Sequence, residues 1–435
     1  MTNGITRRGA TEGITRRAAL GTAAAAAAIL PARAQGTQAN LLAHRVHQTV
    51  ITGAQGGDSA AAWARATGNT IQWTSFDTGP LWERLQREAS LPATTIDVGF
   101  VLNTQVSPRS AALFEPLEPF MAREPVEDMA DMFPGLVDGM KVAGQQLGLP
   151  MRHASSGLHY NMEILAERGI DRAPRTIEEV FDFARRCTYR RSDGTPCVGL
   201  LMPGVTYPNV IDLARAWDGD FITADFRVVA DQPPMLNAIR ALRELFQAGA
   251  FPRNFATIQS EEVNTWMQQG RAAMALNSMG RNRIYNDPAR SKFPGKFVTI
   301  AVPASATMAG RFEVAPAKVE FWGMVIPRNA RNKQLSWSFI RHLVGKEATL
   351  AMALNGNGPV RNSTYENARV RESLPYAEEE RRVLRVARVP LPAFDEAPRA
   401  GDIFKEEAEA AVLGLKTPEA AMQAVVQRVT PLLPR

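Results

Sequence analysis

The sequence predicts an α/β protein in which helices pack on sheets of parallel strands. Strand-like and helix-like segments alternate over the first hundred residues, at the spacing of βαβ units. A further strand and helix follow each other at residues 319–344. The chain of 435 residues is also longer than one ordinary core requires, and it indicates about two or three domains.

The clearest alternation of strand and helix is near the amino terminus. Gly68 and Asn69 are typical of a helix end and separate the first predicted helix from the next strand. Ligands of parallel sheets bind at the carboxyl ends of strands, so we expect the polar loops there to contribute to a site. The predicted strands are 47–52, 70–74 and 95–102, the predicted helices are 60–66 and 81–89, and the strand ends lie at 53–58, 76–78 and 103–105.

Caps, hydrophobic periodicity and turn residues mark the later elements. Thr176 begins a capping box that predicts a helix as far as residue 187. An aromatic and β-branched run at 319–326 is typical of a buried strand. Apolar residues at 335–344 recur with the period of a helix. The remaining predicted segments are a loop at 355–359 and a mainly helical region at 362–435.

The first 34 residues have the pattern of an export signal. Arg16-Arg17 resembles the twin-arginine motif, and the apolar run at 18–30 is too short to span a bilayer. An A-x-A cleavage site at 32–34 follows. We therefore expect a mature protein that begins near Gln35 and is free in the periplasm.

The net charge of +6 does not indicate a nucleic-acid partner. Five arginines and one acidic residue lie in the first 34 residues, and the rest of the chain has 45 basic and 43 acidic side chains. An apolar content of 45% with 22% charged residues is typical of a soluble globular protein. The positive charge therefore belongs mainly to the export signal.

Cys187 and Cys197 are the only cysteines. The segment between them, 192–196, has the composition of a turn. In an oxidising compartment the two residues can close a small loop, and the alternative is a pair of unbonded thiols.

Short motifs occur along the chain in the order found in one bacterial receptor family. Near the end they are Trp322-Gly323, Ile326-Pro327, Asn332-Lys333 and Pro359-Val360-Arg361. Earlier matches lie at 147–161, 174–179, 206–208, 216–221 and 267–274. On these motifs the sequence resembles the extracellular solute-binding proteins of family 1, the maltose-binding-like receptors of ABC importers.

The resemblance implies a type II periplasmic binding protein fold, with two α/β lobes of mainly parallel strands and three crossovers. It implies a lobe 1 of residues 35–150 and 323–355, and a lobe 2 of residues 151–322 and 356–435. It further implies a monomeric receptor, not an enzyme, that needs no cofactor or metal. The expected partners are a small solute, with a carbohydrate as the leading candidate, and the subunits of a membrane permease.

Sugars present an apolar face of C–H groups and a rim of hydroxyls, which aromatic rings and planar polar groups recognise. Side chains of these kinds lie at the predicted strand ends and crossovers. Packing in the core or a turn is the alternative role for Trp322 and Trp217, and turn capping is the alternative for Asn277. Arg361 has the alternative of a salt bridge at a hinge. The candidate ligand-binding residues are Gln55, Asp77, Asn103, Arg152, His153, Tyr207, Trp217, Asn277, Trp322 and Arg361.

The charge of the solute stays open at this point. Arg152, His153 and Arg361 suggest a basic cleft that suits an acidic or phosphorylated sugar. Asp58 and Asp77 argue in the opposite direction.

Other functions remain as alternatives. A receptor for polyamine or ferric ion would use a related fold, and an exported lyase or glycosidase belongs to a different class. The sequence contains no G-x-x-x-x-G-K-[ST], H-E-x-x-H or G-x-S-x-G motif, and no G-x-G-x-x-G after a strand. His44 and His47 have a helical spacing, but no carboxylate ligand lies near them in sequence to favour a metal site.

Overall fold

The computed structural model describes residues 36–434, so the predicted export signal lies outside the described residues. The strands are β1 (Gln38–His44), β2 (Thr70–Phe76), β3 (Val98–Leu102), β4 (Lys141–Val142), β5 (Gln145–Gln146), β6 (Gly148–Asn161), β7 (Tyr189–Arg190), β8 (Pro196–Leu201), β9 (Ala272–Ser278), β10 (Phe297–Ile300) and β11 (Val319–Val325). The helices before β9 are α1 (Arg45–Ile51), α2 (Ser59–Thr67), α3 (Thr78–Ala89), α4 (Pro108–Ala111), α5 (Glu118–Arg123), α6 (Pro134–Asp138), α7 (Met162–Ala166), α8 (Ile177–Arg186), α9 (Tyr207–Ala214), α10 (Pro233–Gln247) and α11 (Ser260–Gln268). The later helices are α12 (Asn282–Tyr285), α13 (Lys333–Leu343), α14 (Lys346–Leu354), α15 (Ala368–Ser373), α16 (Ala377–Leu384), α17 (Ala397–Leu413) and α18 (Pro418–Val429).

Nine strands form one continuous sheet in the order β2-β1-β3-β11-β6-β9-β8-β7, with β10 also paired to β6. We call β1–β3 the first sheet half and β7–β10 the second sheet half. β1 is parallel to β2 and β3, and β8 is parallel to β9. Between the halves lie β6 and β11, which are antiparallel to each other and to their outer neighbours β9, β10 and β3. These two crossover strands connect the halves.

The prediction of a strand at residues 47–52 was wrong. This segment belongs to α1, where His47 and Val50 lie one turn apart on the buried face of the helix. The strand is β1, whose buried apolar residues 41–43 lie in the interior of the sheet between β2 and β3. β-branched residues favour strands only weakly, and sheet pairing here selects the continuous apolar run instead. The carboxyl end of the first strand is therefore His44.

Local signals at several other positions are confirmed. The side chain of Thr176 caps α8 by accepting a hydrogen bond of 3.2 Å from the backbone N–H of Glu179. The other half of the predicted capping box is not formed, because the Glu179 carboxylate accepts from the backbone N–H of Arg175 instead. Gly356 has a φ of 92°, which glycine adopts without strain. A Cβ atom at Gly358 would lie 2.4 Å from the carbonyl oxygen of His153. The loop at 355–359 thus uses one glycine for its turn and another for a close approach to β6.

The chain beyond residue 362 is mainly helical, as predicted. The helices α17 and α18 pack against each other and against α10 of the region that precedes β9. Among the helices of residues 36–434, none combines the length and the apolarity of a membrane span.

Cys187 and Cys197 are both free and buried in the structure. Burial raises the pKa of the Cys187 thiol to about 11 and that of the Cys197 thiol to about 12. Such thiols remain protonated at neutral pH and react slowly. A disulfide between them stays a prediction.

Candidate ligand-binding site

The crossover strands β6 and β11 have one open face and one closed face. Trp322 is paired with Arg152, and Glu320 is paired with Ala154. Residues paired across a ladder project to the same face of a sheet, so these four side chains share one face. Ala154 is exposed and the other three are half-buried, whereas the residues between them are buried. We call Arg152, Ala154, Glu320 and Trp322 the crossover floor.

Two imidazoles stand against the indole of Trp322. The ring centroids of His47 and Trp322 are 4.6 Å apart in an edge-to-face arrangement, and those of His44 and Trp322 are 5.8 Å apart. His47 also stacks on Phe100 of β3 at 5.1 Å. The turn from β1 into α1 fixes both rings, because His44 Nδ1 accepts from the backbone N–H of Val46 at 3.1 Å. In the same turn His47 Nδ1 accepts from the backbone N–H of His44 at 3.3 Å.

These hydrogen bonds define the protonation of the two imidazoles. Since each Nδ1 accepts, the proton of each neutral ring is on Nε2. Burial is the main cause that lowers the pKa of His44 and His47, and the charge of Arg152 lowers both further. The nearby carboxylate of Asp77 opposes this shift at His44. At neutral pH both rings therefore offer an Nε2–H donor.

The guanidinium of Arg152 has neither an ion-pair nor a hydrogen-bond partner within residues 36–434. Burial lowers its pKa, because the charge loses hydration without gaining a partner. The crossover floor thus contains a charged donor that the described part of the chain leaves unused.

A cavity of about 1870 Å³ begins at the carboxyl end of β3, and its lining includes Asn103 and Tyr207 but none of the four residues of the crossover floor. Asn103 lines this cavity. Its Oδ1 also accepts a hydrogen bond of 3.0 Å from the backbone N–H of Phe321, which connects the end of β3 to β11. Its lining comes from segments near both sheet halves. The lining residues near the first sheet half include Trp82, Asn103, Gln105, Arg109 and Lys141. Those near the second sheet half include Tyr207, Asp218, Ile222, Phe226 and Phe394.

Tyr207 lies where the cavity meets the floor. It begins α9, and its ring packs on Phe221 with a centroid separation of 5.8 Å. Burial, together with the negative charge of Glu320, raises the pKa of the Tyr207 hydroxyl to about 12. The phenol therefore remains a neutral donor or acceptor beside the Glu320 carboxylate.

Ion pairs fix the cavity wall that the 215–220 turn forms. Asp218 has a φ of 60° and binds the guanidinium groups of Arg388 and Arg311, each at 2.6 Å. Arg215 is buried and pairs with Asp220 at 3.1 Å. Because these charges already have partners, they position the wall and leave little free charge for a solute.

The closed face of the crossover strands carries a polar network around Glu380, although Nδ1 of His153 is buried without a hydrogen-bond partner among the described residues. Ser155 Oγ donates to Glu380 Oε1 at 2.7 Å, and the Tyr365 hydroxyl donates to Glu380 Oε2 at 2.8 Å. His153 Nε2 lies 3.0 Å from the same hydroxyl. The predicted ligand-binding residue His153 therefore contacts Tyr365 in the turn before α15, away from the open face, and reaches Glu380 of α16 only through that tyrosine.

Arg361 also holds the structure together. It is fully buried, and its guanidinium donates to the carbonyl oxygens of Val344 at 2.6 Å and Asp128 at 2.8 Å. It pairs with Asp131 at 3.3 Å. The structure thus matches the alternative of a salt bridge near the crossovers.

The structure brings Asn103, Arg152, Tyr207 and Trp322 to the floor and its cavity. The remaining candidates lie apart from them. Gln55 is exposed, and Asp77 is exposed in a 3.7 Å pair with Arg45 at the rim of the His44 turn. Trp217 stacks on Phe181 at 6.2 Å, and Asn277 Nδ2 donates to the hydroxyl of Tyr285 at 3.3 Å.

Sequence reasoning missed His44, His47 and Glu320. The His-x-x-His spacing was visible, but the wrong strand assignment placed it at the start of the first strand instead of at its carboxyl end. Glu320 was hidden in an apolar run, where only the ladder register shows which face it occupies. His, Cys, Asp and Glu side chains of residues 36–434 form no group of three or more that would hold a metal ion.

Comparison with known proteins identifies the family. A family model for bacterial extracellular solute-binding proteins matches residues 58–374, nearly three quarters of the chain. The chain belongs to the bacterial extracellular solute-binding proteins. This solute-binding protein is 22% identical over 324 residues to a probable ABC transporter-binding protein of Deinococcus radiodurans, with 73% of this chain and 75% of the relative covered.

Solved structures show the fold of this solute-binding protein. The sugar-binding protein MalE of Xanthomonas citri superposes with a TM-score of 0.76 at 20% identity, covering 91% of this chain and 97% of that one. Maltose-bound MalE3 of T. maritima gives a TM-score of 0.72 at 18% identity, covering 92% and 100%. The predicted type II periplasmic binding protein fold is confirmed.

Proposed function

We propose that this protein is the carbohydrate-binding component of an ABC importer. Its similarity to a probable ABC transporter-binding protein, to a maltose-bound protein and to a sugar-binding protein supports the proposal. The observation that carries it is the half-buried indole of Trp322 on the same face of the sheet as Arg152 and Glu320. An aromatic surface with planar polar groups at its edge is what a sugar ring requires.

The position of the floor suggests how binding is signalled to a permease. β6 and β11 connect the two sheet halves, so a solute on the floor would lie between the halves. Contacts that form only when the halves approach each other bias a hinge towards the closed form. In this proposal lobe 1 comprises residues 35–150 and 323–355, and lobe 2 comprises residues 151–322 and 356–435. The permease then distinguishes the closed, loaded receptor from the open one.

The proposal includes the route and the state of the protein. Residues 1–34 direct export through the twin-arginine pathway and are removed near Ala34, which leaves a monomer in the periplasm. The solute is released unchanged, because the receptor breaks no bond.

Thermal-shift screening of the mature protein from Gln35 tests this function. We expect a carbohydrate, among neutral sugars, sugar acids, sugar phosphates and polyamines, to raise the melting temperature by several degrees. The same ligand should reduce the radius of gyration in solution scattering and be recovered intact in equimolar amount. Stabilisation by polyamines alone, or conversion of the sugar to a product, would contradict the proposal.

A further inference from the structure

We infer that the solute carries a carboxylate, which binds to Arg152 and to the Nε2 donors of His44 and His47. The solute is then an acidic sugar, such as a uronate or an aldonate. This inference rests on the proposed carbohydrate-binding function and specifies the chemical class of the sugar.

The first support is the unpaired charge of Arg152. The two buried arginines in the described part of the chain have carboxylate partners: Arg215 with Asp220 at 3.1 Å and Arg361 with Asp131 at 3.3 Å. Both also donate to backbone carbonyl oxygens. Arg152 has neither kind of partner within residues 36–434. A half-buried guanidinium without a partner is costly, and a planar carboxylate satisfies it with two parallel hydrogen bonds.

The second support is the pair of imidazoles on the same indole. Their Nδ1 atoms are engaged by backbone N–H groups of the β1–α1 turn, at 3.1 Å for His44 and 3.3 Å for His47. Neither Nε2 has an acceptor among the described residues, although both rings contact Trp322. Both imidazoles contact the indole and Arg152 is paired with Trp322 across the ladder, so three donor groups lie near this ring. An acceptor-only group such as a carboxylate complements them.

The third support is the polarity of the floor. Glu320 lies two residues from Trp322 along β11, about 7 Å away, and is paired with Ala154 rather than Arg152. Donors thus occupy one end of the floor and an acceptor occupies the other. A polyhydroxylated acid matches this order, with its carboxylate at Arg152 and its hydroxyls at Glu320. The charge of Asp77 acts on His44 at the donor end, but this carboxylate is exposed and paired with Arg45 at 3.7 Å.

Matched pairs of ligands test the inference by calorimetry on the mature protein. The pairs are glucuronate and glucose, galacturonate and galactose, and gluconate and glucitol, with glucose 6-phosphate as a separate anion. We expect at least one acid to bind about 100-fold more tightly than its neutral partner. Arg152→Gln should abolish this preference by reducing the affinity for the acid about 100-fold. Arg152→Lys keeps the positive charge but cannot form two parallel hydrogen bonds to a carboxylate. This variant should therefore retain part of the preference for the acid.

The matched control is Arg45→Gln, which removes a positive charge at the start of α1, next to His44, but leaves the three donors intact. It should change the affinity for the acid less than about threefold. Tight binding of a neutral sugar without preference for the acid would overturn the inference and leave the proposed function standing. Binding of the phosphate alone would also overturn it. No binding of any carbohydrate would refute both.

Discussion

Polar side chains lie on both faces of the crossover strands, but their partners differ. On the closed face Ser155 and Tyr365 both donate to Glu380, and His153 contacts the same tyrosine. On the open face Arg152 and Glu320 have no ion-pair partner in the described part of the chain. The same two strands therefore carry one network whose carboxylate is hydrogen-bonded within the chain and one set of charged groups that have no such partners.

The difference follows from what each face contributes. A buried polar group without a partner costs free energy, so a network closed by the chain itself contributes to stability. Groups that are left open to the cleft contribute little to the stability of the empty protein. These groups form their hydrogen bonds and ion pairs with the solute, so they contribute to the free energy of binding. We therefore expect closed-face changes to affect unfolding and open-face changes to affect binding.

The largest effect should come from Glu380→Ala. Glu380 is only 5% exposed and accepts from both Ser155 and Tyr365, so its removal leaves two buried donors without an acceptor. We expect the free energy of unfolding to fall by about 3 kcal/mol, measured by urea denaturation of the mature protein. The affinity of the variant for its solute should remain within threefold of the original.

Glu378→Ala on the same helix is the matched control. Its side chain is exposed and its pair with Arg381 is 3.5 Å long, so the expected loss is below about 0.5 kcal/mol. Equal effects of the two substitutions would show that the closed face contributes no special stability.

A smaller effect should appear on acidification. Burial lowers the pKa of His159, which lies on β6, from 6.5 to about 4. Its Nε2 lies 3.1 Å from the carbonyl oxygen of Ser278, and its Nδ1 lies 2.6 Å from the Thr299 hydroxyl, an arrangement that suits the neutral ring. Between pH 6.5 and about 4 the unfolded chain binds a proton that the folded chain does not, so stability falls as the pH falls. The loss at pH 5 relative to pH 8 should be about 2 kcal/mol from this residue.

The melting temperature between pH 5 and pH 8 measures this dependence. His159→Gln keeps a donor and an acceptor but does not titrate, so its melting temperature should vary less with pH than that of the original protein. The variant itself should be less stable at pH 8. An unchanged pH dependence would mean that the pKa of His159 is the same in the folded and the unfolded chain.

Local sequence signals predicted most of the elements and the fold class. Helix caps such as Thr176 and turn glycines such as Gly356 determine the backbone locally, without contacts to distant residues. Their effects can therefore be predicted from the sequence. The first strand was different, because residues 47–52 have strand-like composition but form a helix. Pairing with β2 and β3 selected the preceding apolar run, and such pairing involves residues far away in sequence.

The candidate site was less predictable than the fold. Trp322 and Arg152 were identified by residue type, but the sequence did not show that they are neighbours across a ladder. His153 and Arg361 have equally suitable chemistry, yet the structure directs both to partners within the chain. Which face a strand residue occupies depends on register, and register is set by tertiary pairing rather than by composition.

The smallest effect on stability should accompany substitutions of the open face. Trp322→Ala and Tyr207→Ala remove half-buried aromatic rings, so we expect each to lower the free energy of unfolding by about 1–2 kcal/mol and the affinity for the solute at least about tenfold. Trp266→Ala is the control, since that ring is also half-buried but stacks under Arg271 at 4.1 Å, outside the floor. It should reduce stability by a similar amount without changing affinity. If Trp322→Ala and Tyr207→Ala instead unfolded the empty protein, both rings would belong to the core, and the open face would lose its distinction from the closed one.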